Sequence, residues 1–295
     1  GSTGALINLI VNLFIGLSVG TNVLAAQYYG AGNRKDLQET VHTSVLTSLI
    51  FGVVLLVIGI SLADPLLALM GTPEEVLPQA SLYMRIFFLG MPASMLYNFG
   101  AAILRAVGDT KRPLYFLLLS GVVNVVLNLF FVIVLHMDVA GVATATVISQ
   151  AISAGLVVWC LVKVKGDYNL DLKKLRIYKD KLLGMTKIGL PAGIQGASFA
   201  ISNVLIQSSI NSFGAVAMAG NTAASNIEGF VSTAMDAFSQ AALSFTAQNL
   251  GAGKTKRLSR ILWLCLSLVA GTGLLLGVGG YLLAPQLLGI YSSDP

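Results

Sequence analysis

The chain has 295 residues, of which 55% are apolar and only 11% charged, with a net charge of +5. Soluble domains carry about a quarter charged residues, so a water-soluble globular fold is excluded. The period-two alternation that a membrane barrel needs is absent as well.

Eight apolar stretches each reach the roughly 20 residues that a helix needs to cross a bilayer. Backbone groups facing lipid must be satisfied within their own segment, which makes these stretches helices. The first, Ala5–Tyr29, runs into a turn holding Gln27, Gly30 and Gly32. The second, Val41–Ala63, leads to an acidic connection with Asp64, Glu74 and Glu75. The third, Ser81–Leu104, carries Arg85 near its far end, where it is expected to snorkel to headgroups. A basic turn with Arg105, Gly108, Asp109, Lys111, Arg112 and Pro113 precedes the fourth stretch, Leu114–Leu135. Asn124 and Asn128 lie one turn apart on that helix and share a face. They could ligate a cation, or they could hydrogen-bond across helices as packing groups.

After the fifth stretch, Val142–Val164, comes the only long polar connection, 165–187, rich in Lys, Asp and Tyr. It reads as a linker between two bundles, with an amphipathic segment along the membrane surface. The sixth stretch, Ile188–Phe213, places Asn203, Gln207 and Asn211 one turn apart. The seventh, Asn221–Gln248, contains Glu228 and Asp236, about 80° apart around a helix of 3.6 residues per turn. A second turn holding Gln248, Gly251 and Gly253 leads to the eighth, Ile261–Leu283. His42 and His136 fall near helix ends and read as interfacial, and Cys160 and Cys265 read as packing residues.

Of the 18 Lys and Arg residues, all but Arg85 lie in or beside alternate connections. Basic loops remain in the cytoplasm, so those connections face inward and the acidic ones outward.

The turn at 26–32 returns at 247–253, a spacing of 221 residues, and the match continues through Lys35 with Lys256, Gly52 with Gly273 and Gly59 with Gly280. Solenoid units repeat every 20–50 residues or so, whereas this is a duplicated half-protein. The first helix aligns with the seventh, so one copy holds six helices, an even number. Both copies therefore enter the membrane in the same direction, as parallel repeats. Two copies would need about 440 residues, so the chain reads as a partial one. It would lack one helix before Gly1 and three after Pro295. The expected organisation is an N-terminal bundle at 1–164, a linker at 165–187 and the start of a C-terminal bundle at 188–295. These belong to an all-α architecture of twelve helices, eight of them present here.

Gly251 to Thr255 superficially suggests a phosphate loop, but Gln248 stands where the first glycine is required and no strand precedes it. No nucleophile–base pair or metal-ligand cluster appears either. Neither an enzyme nor a metal or organic cofactor is expected.

The paired turns, the segment from Arg105 through Gly108 and Asp109 to Pro113, and Pro191 opening the sixth stretch resemble the multidrug and toxic compound extrusion (MATE) family. The outer loop 71–75 fits as well. The resemblance implies secondary active efflux of drugs or other amphipathic organic compounds, small and cationic, by alternating access between two bundles. A proton or sodium gradient would drive it, in the cell membrane and in a protein that is monomeric when complete, with no nucleic-acid partner. Several family ion-site positions are altered: the first helix has no acidic residue, and Asn128 stands where the family has an aspartate. Glu228 and Asp236 are then the candidates for coupling or cation binding, because a carboxyl at membrane depth is costly. A structural role, with neighbouring Ser and Asn groups satisfying them, is the alternative. The rival functions are a lipid-linked oligosaccharide flippase, which would need several cavity cations where only Arg85 is available, and an inactive remnant.

Overall fold

The computed structural model describes residues 2–69, 74–211, 213, 215–284 and 286. Nine α-helices occur among them: α1 Ser2–Gly30, α2 Arg34–Leu69, α3 Leu77–Leu89, α4 Met91–Ala106, α5 Lys111–Leu129, α6 Asp138–Lys163, α7 Lys179–Asn211, α8 Ala215–Gly251 and α9 Lys256–Leu282. Each expected apolar stretch is helical. Several helices extend beyond it, because polar first turns such as 34–40 and 179–187 continue the helix out of the apolar layer.

The third stretch is broken rather than continuous. α3 and α4 meet at Gly90 with a bend of 46°. Pro92, in the first turn of α4, has no N–H to donate, and its ring disfavours helical geometry at the residue before it. Beyond α5 the chain completes a π-helical turn, Phe130–Val134. Among the described residues, α2, α5 with this turn, α6 and α9 each contain a stretch long and apolar enough to cross a membrane, and the α3–α4 pair makes a fifth such span. α1, α7 and α8, of 29, 33 and 37 residues, have the length to do so.

Two apolar clusters hold α1 to α6 together. One joins Leu17 of α1 and Leu55 of α2 to Phe88, Met91 and Phe99 of α3 and α4. The other joins Val41 and Val45 of α2 to Ile103, Val157 and Leu161 of α4 and α6. Between them α2 and α4 approach closely, since a Cβ at Gly52 would lie 2.4 Å from the Pro92 Cα. α7 lies along α1, α8 meets α1 at one end, and α9 packs on α8.

In the polar connection the short 3-10 turn Leu172–Lys174 precedes α7. Residues 165–178 fold against α2, and the last nine residues of the expected linker already belong to α7. Asn169 donates to the carbonyls of Val162 and Val164 at 2.9 and 2.8 Å, closing the end of α6, and Leu170 is buried. His42 is buried here too, and not interfacial. Its Nδ1 lies 2.7 Å from the Gln38 carbonyl, and the Asp171 N–H reaches its Nε2 at 3.2 Å. The difference arises because α2 begins at Arg34, which places His42 two turns inside the helix and under the linker.

Candidate functional site

The two repeated turns have the same backbone. Gly32 (φ +67°) and Gly253 (φ +68°) take the left-handed conformation that glycine adopts without penalty. In the first, Asn33 N–H donates to the Tyr28 carbonyl and Gly32 N–H to that of Tyr29. In the second, Lys254 N–H donates to Asn249 and Gly253 N–H to Leu250. This pair of bonds satisfies carbonyls that a helix end otherwise leaves open. Gly108 (φ +91°) closes α4 in the same way, with Asp109 N–H on the Leu104 carbonyl and Gly108 N–H on that of Arg105. Asp109 then accepts from the Arg112 N–H at 3.2 Å and pairs with its guanidinium at 3.2 Å. Pro113 is buried in the first turn of α5, and its carbonyl accepts from the Tyr97 hydroxyl at 3.0 Å. Gly32, Gly108 and Gly253 thus have a structural cause: each stops a helix.

The turns also pack on each other. A Cβ placed at Gly30 would lie 2.0 Å from the Gln248 carbonyl oxygen, and one at Gly251 would lie 2.0 Å from the Gln27 carbonyl oxygen. Each glycine therefore presses on the helix carrying its repeat partner. Higher up, Gly16 and Gly193 are in similar contact between α1 and α7, and a Cβ at Gly20 would meet the Met185 carbonyl at 2.0 Å. Polar groups tie the crossing at the same end. Asn22 donates to the Ala102 carbonyl at 3.0 Å and accepts from the Ser244 hydroxyl at 3.0 Å, while the Gln248 amide donates to the Ala106 carbonyl at 2.6 Å. α1, α4 and α8 are thereby joined. Arg105, in the last turn of α4, has its Nε buried without a partner among the described residues.

Lys181 of α7 completes this end. Its ammonium, on a side chain only 6% exposed, lies 2.7 Å from Asp36 and 3.7 Å from Glu39, both of α2, and 2.6 Å from Asp180. It also sits over the Tyr28 ring at 5.0 Å. Burial opposes the charge, but the hydrogen bonds that Lys181 donates to Asp180 and Asp36 outweigh it and raise the lysine pKa. Asn22, Ser244 and Lys181 are absent from the sequence reading. Asn22 offered a signal, as an amide within an apolar helix, whereas Lys181 was hidden within a run of linker charges.

The other expected site residues fall into separate groups. Asn128 donates to the Asn124 side-chain oxygen at 3.0 Å, and Asn124 donates to the Thr146 hydroxyl of α6 at 3.4 Å. Thr146, which the sequence reading did not include, makes this a three-residue group, and the Asn128 oxygen is buried without a donor among the described residues. Glu228 and Asp236 are exposed on α8, and neither makes a hydrogen bond or ion pair among the described residues. Asn203 and Pro191 are exposed on α7; the Gln207 side chain and residues 71–73 of the outer loop lie outside the described residues. Arg85 does not stand alone at the far end: it pairs with Asp64 at 2.5 Å, and Ser81 donates to the same carboxylate.

The α1–α8 contact is confined to one end. On α8 the buried residues are Ser244 and Ala247, and none is buried between 220 and 243 among the described residues. The basic connections gather at that closed end, as the Arg34–Asp167 pair at 3.1 Å and the Lys181 cluster show.

Comparison with known proteins follows the same lines. The profile of the family described as MatE matches residues 1–130 and 191–295. The probable multidrug resistance protein YoeA of Bacillus subtilis (strain 168) is 30% identical over 295 residues, covering 97% of this chain and 63% of that protein. The chain thus spans less than two thirds of that relative's length. A multidrug resistance MATE family transporter in its outward-facing conformation superposes with a TM-score of 0.88 at 24% identity, over 97% of this chain and 64% of the other. An inward-facing structure of such a transporter gives 0.75 at 23% identity, over 98% and 66%.

Proposed function

The chain belongs to the multidrug and toxic compound extrusion family of membrane transporters, and from that premise we propose that it serves the secondary active efflux of small amphipathic organic compounds, cationic ones foremost. The polypeptide is multi-pass and helical, and no enzymatic role attaches to this family. The observation that carries the proposal is the one-ended crossing of α1 with α8. The two copies of the repeat press together at the basic end, while Glu228 and Asp236 are exposed and no described residue of α8 between 220 and 243 is buried. Two bodies that touch at one end are what alternating access requires. The closer match to an outward-facing structure supports the same state.

Coupling to a proton or sodium gradient runs through the acidic face of α8 in this reading. Glu228 and Asp236 offer a cation negative charge to pair with, and no Lys or Arg occurs between Lys187 and Lys254 to neutralise them. The same distribution argues against an oligosaccharide-pyrophosphate flippase, since the one cation outside the basic connections, Arg85, is already tied to Asp64. The test is reconstitution of the intact protein in liposomes, with efflux of a lipophilic cationic dye followed under separately imposed proton and sodium gradients. Gradient-dependent efflux that Glu228→Gln or Asp236→Asn abolishes is the expected result. No dye movement above protein-free liposomes under either gradient would sink the proposal.

A further inference from the structure

Gly30 and Gly251 occupy equivalent positions in the two repeats, and their contacts are reciprocal. Each would drive a Cβ to 2.0 Å from the backbone carbonyl of the other copy's glutamine. Real Cβ atoms do not approach backbone this closely, and backbone cannot step aside as a side-chain tip can. Both carbonyls are also engaged in their own helices, Gln27 with the Ala31 N–H at 2.9 Å and Gln248 with the Ala252 N–H at 3.0 Å. Neither can rotate away without breaking a turn. The contact is short and has few polar ties: the Ser244–Asn22 bond and the Gln248–Ala106 bond. A contact of this kind closes tightly and separates at low cost.

We propose that Gly30 and Gly251 form a two-fold glycine latch that seals the basic end of the transporter, and that its strength is set by backbone-on-backbone approach. A side chain as small as methyl at either position holds the seal open and shifts the protein towards the state open at that end. This proposal rests on the alternating-access reading above. Because the contacts are reciprocal, the two positions have the same effect, although they lie 221 residues apart.

The test uses the intact protein with Cys160 and Cys265 replaced by alanine and a reporter cysteine at Ala247, which is 4% exposed in the closed crossing. In inside-out vesicles, a membrane-impermeant maleimide labels Ala247→Cys slowly when the latch is closed. Gly30→Ala and Gly251→Ala each raise that rate by about tenfold or more, as a shift of population towards the open state requires. Gly155→Ala, where a Cβ meets nothing within 4 Å, leaves it unchanged. Equal labelling in all three variants, or an effect of one glycine alone, overturns the latch. If the alanine variants fail to fold, a disulfide between Asn22→Cys and Ser244→Cys decides the matter, since the native side chains touch at 3.0 Å. Oxidation then stops dye efflux and a thiol reductant restores it; efflux by the cross-linked protein at the reduced protein's rate overturns the latch. Where the alanine variants fold, absence of efflux in the reduced protein counts against the transport reading alone, and the labelling rates decide the latch.

Discussion

At the end of α1, Gly32 turns the chain at φ +67°, and at the end of α8 Gly253 does so at φ +68°, with matching pairs of hydrogen bonds behind them. The helices that follow have different fates. α2 buries Leu37, Val41, Val45 and Leu55 against α4 and the linker and receives Lys181 at its first turn. α9, its repeat partner, has no buried residue. Where Asp36 accepts Lys181 in the first copy, the second copy has Arg257, which could not. The turn follows from a few local residues, whereas burial depends on which surfaces the rest of the chain brings near.

The sharpest way to break that comparison is at Gly52, whose Cβ would meet Pro92 backbone at 2.4 Å, and at its partner Gly273, where the nearest atom is the methyl at the tip of the Met235 side chain at 3.1 Å. In the 295-residue chain, Gly52→Leu should destabilise by about 3 kcal/mol through overpacking, and Gly273→Leu by much less. Thermal unfolding in detergent measures both. Equal losses would show that α9 is covered as tightly as α2.

A smaller effect is expected at the cluster that only the first copy possesses. Lys181→Met leaves Asp36 and Glu39 half-buried without their counter-charge, and a loss of about 2 kcal/mol is expected. The reverse-charge change Arg257→Asp in the second copy, where no such lysine waits, should leave the melting temperature unchanged.

Smaller again, and equal in the two copies, is the cost of the left-handed turns. Gly32→Ala and Gly253→Ala each have open space for a Cβ but the wrong φ for an L-residue, so about 1 kcal/mol each is expected. Unequal losses would mean that the turns are not locally determined.

The smallest expected change is with pH. The Lys181 pKa is raised, so its contribution is complete below the ordinary lysine value and is lost only as pH rises through the higher, folded one. Asp180, held below its ordinary value by Lys181, loses its contribution only as pH falls through that lower value. The stability difference between the parent and Lys181→Met should therefore be flat from about pH 5 to about pH 9. A slope near neutrality would show that another group controls the cluster.

Much of this architecture was legible in the residues themselves. Apolar length marked every helix, because lipid admits no other way to satisfy the backbone. Alternating charge marked which connections belong together, and the Lys181 and Arg34 pairs both join the first basic turn to the 165–178 connection and the start of α7. The repeat marked the two turns as equivalent. Other features were not legible, for reasons of position. Lys181 looked like one linker charge among many, and only the start of α7 at Lys179 brings it under α2. His42 looked interfacial because the start of α2 was placed seven residues late. Asn124 and Asn128 were visible as a pair, but Thr146, from another helix, was not.

The sequence by itself determined the apolar helical stretches, the repeated turns and the equivalence of the two copies, since these rest on composition and on interactions a few residues apart. Only the tertiary structure decided that Gly30 lies against Gln248 and Gly251 against Gln27, that Lys181 is enclosed, and that α1 and α8 meet at one end. Those outcomes depend on the approach of backbones more than 140 residues apart in the chain, and close packing between distant segments leaves no periodic trace in either one.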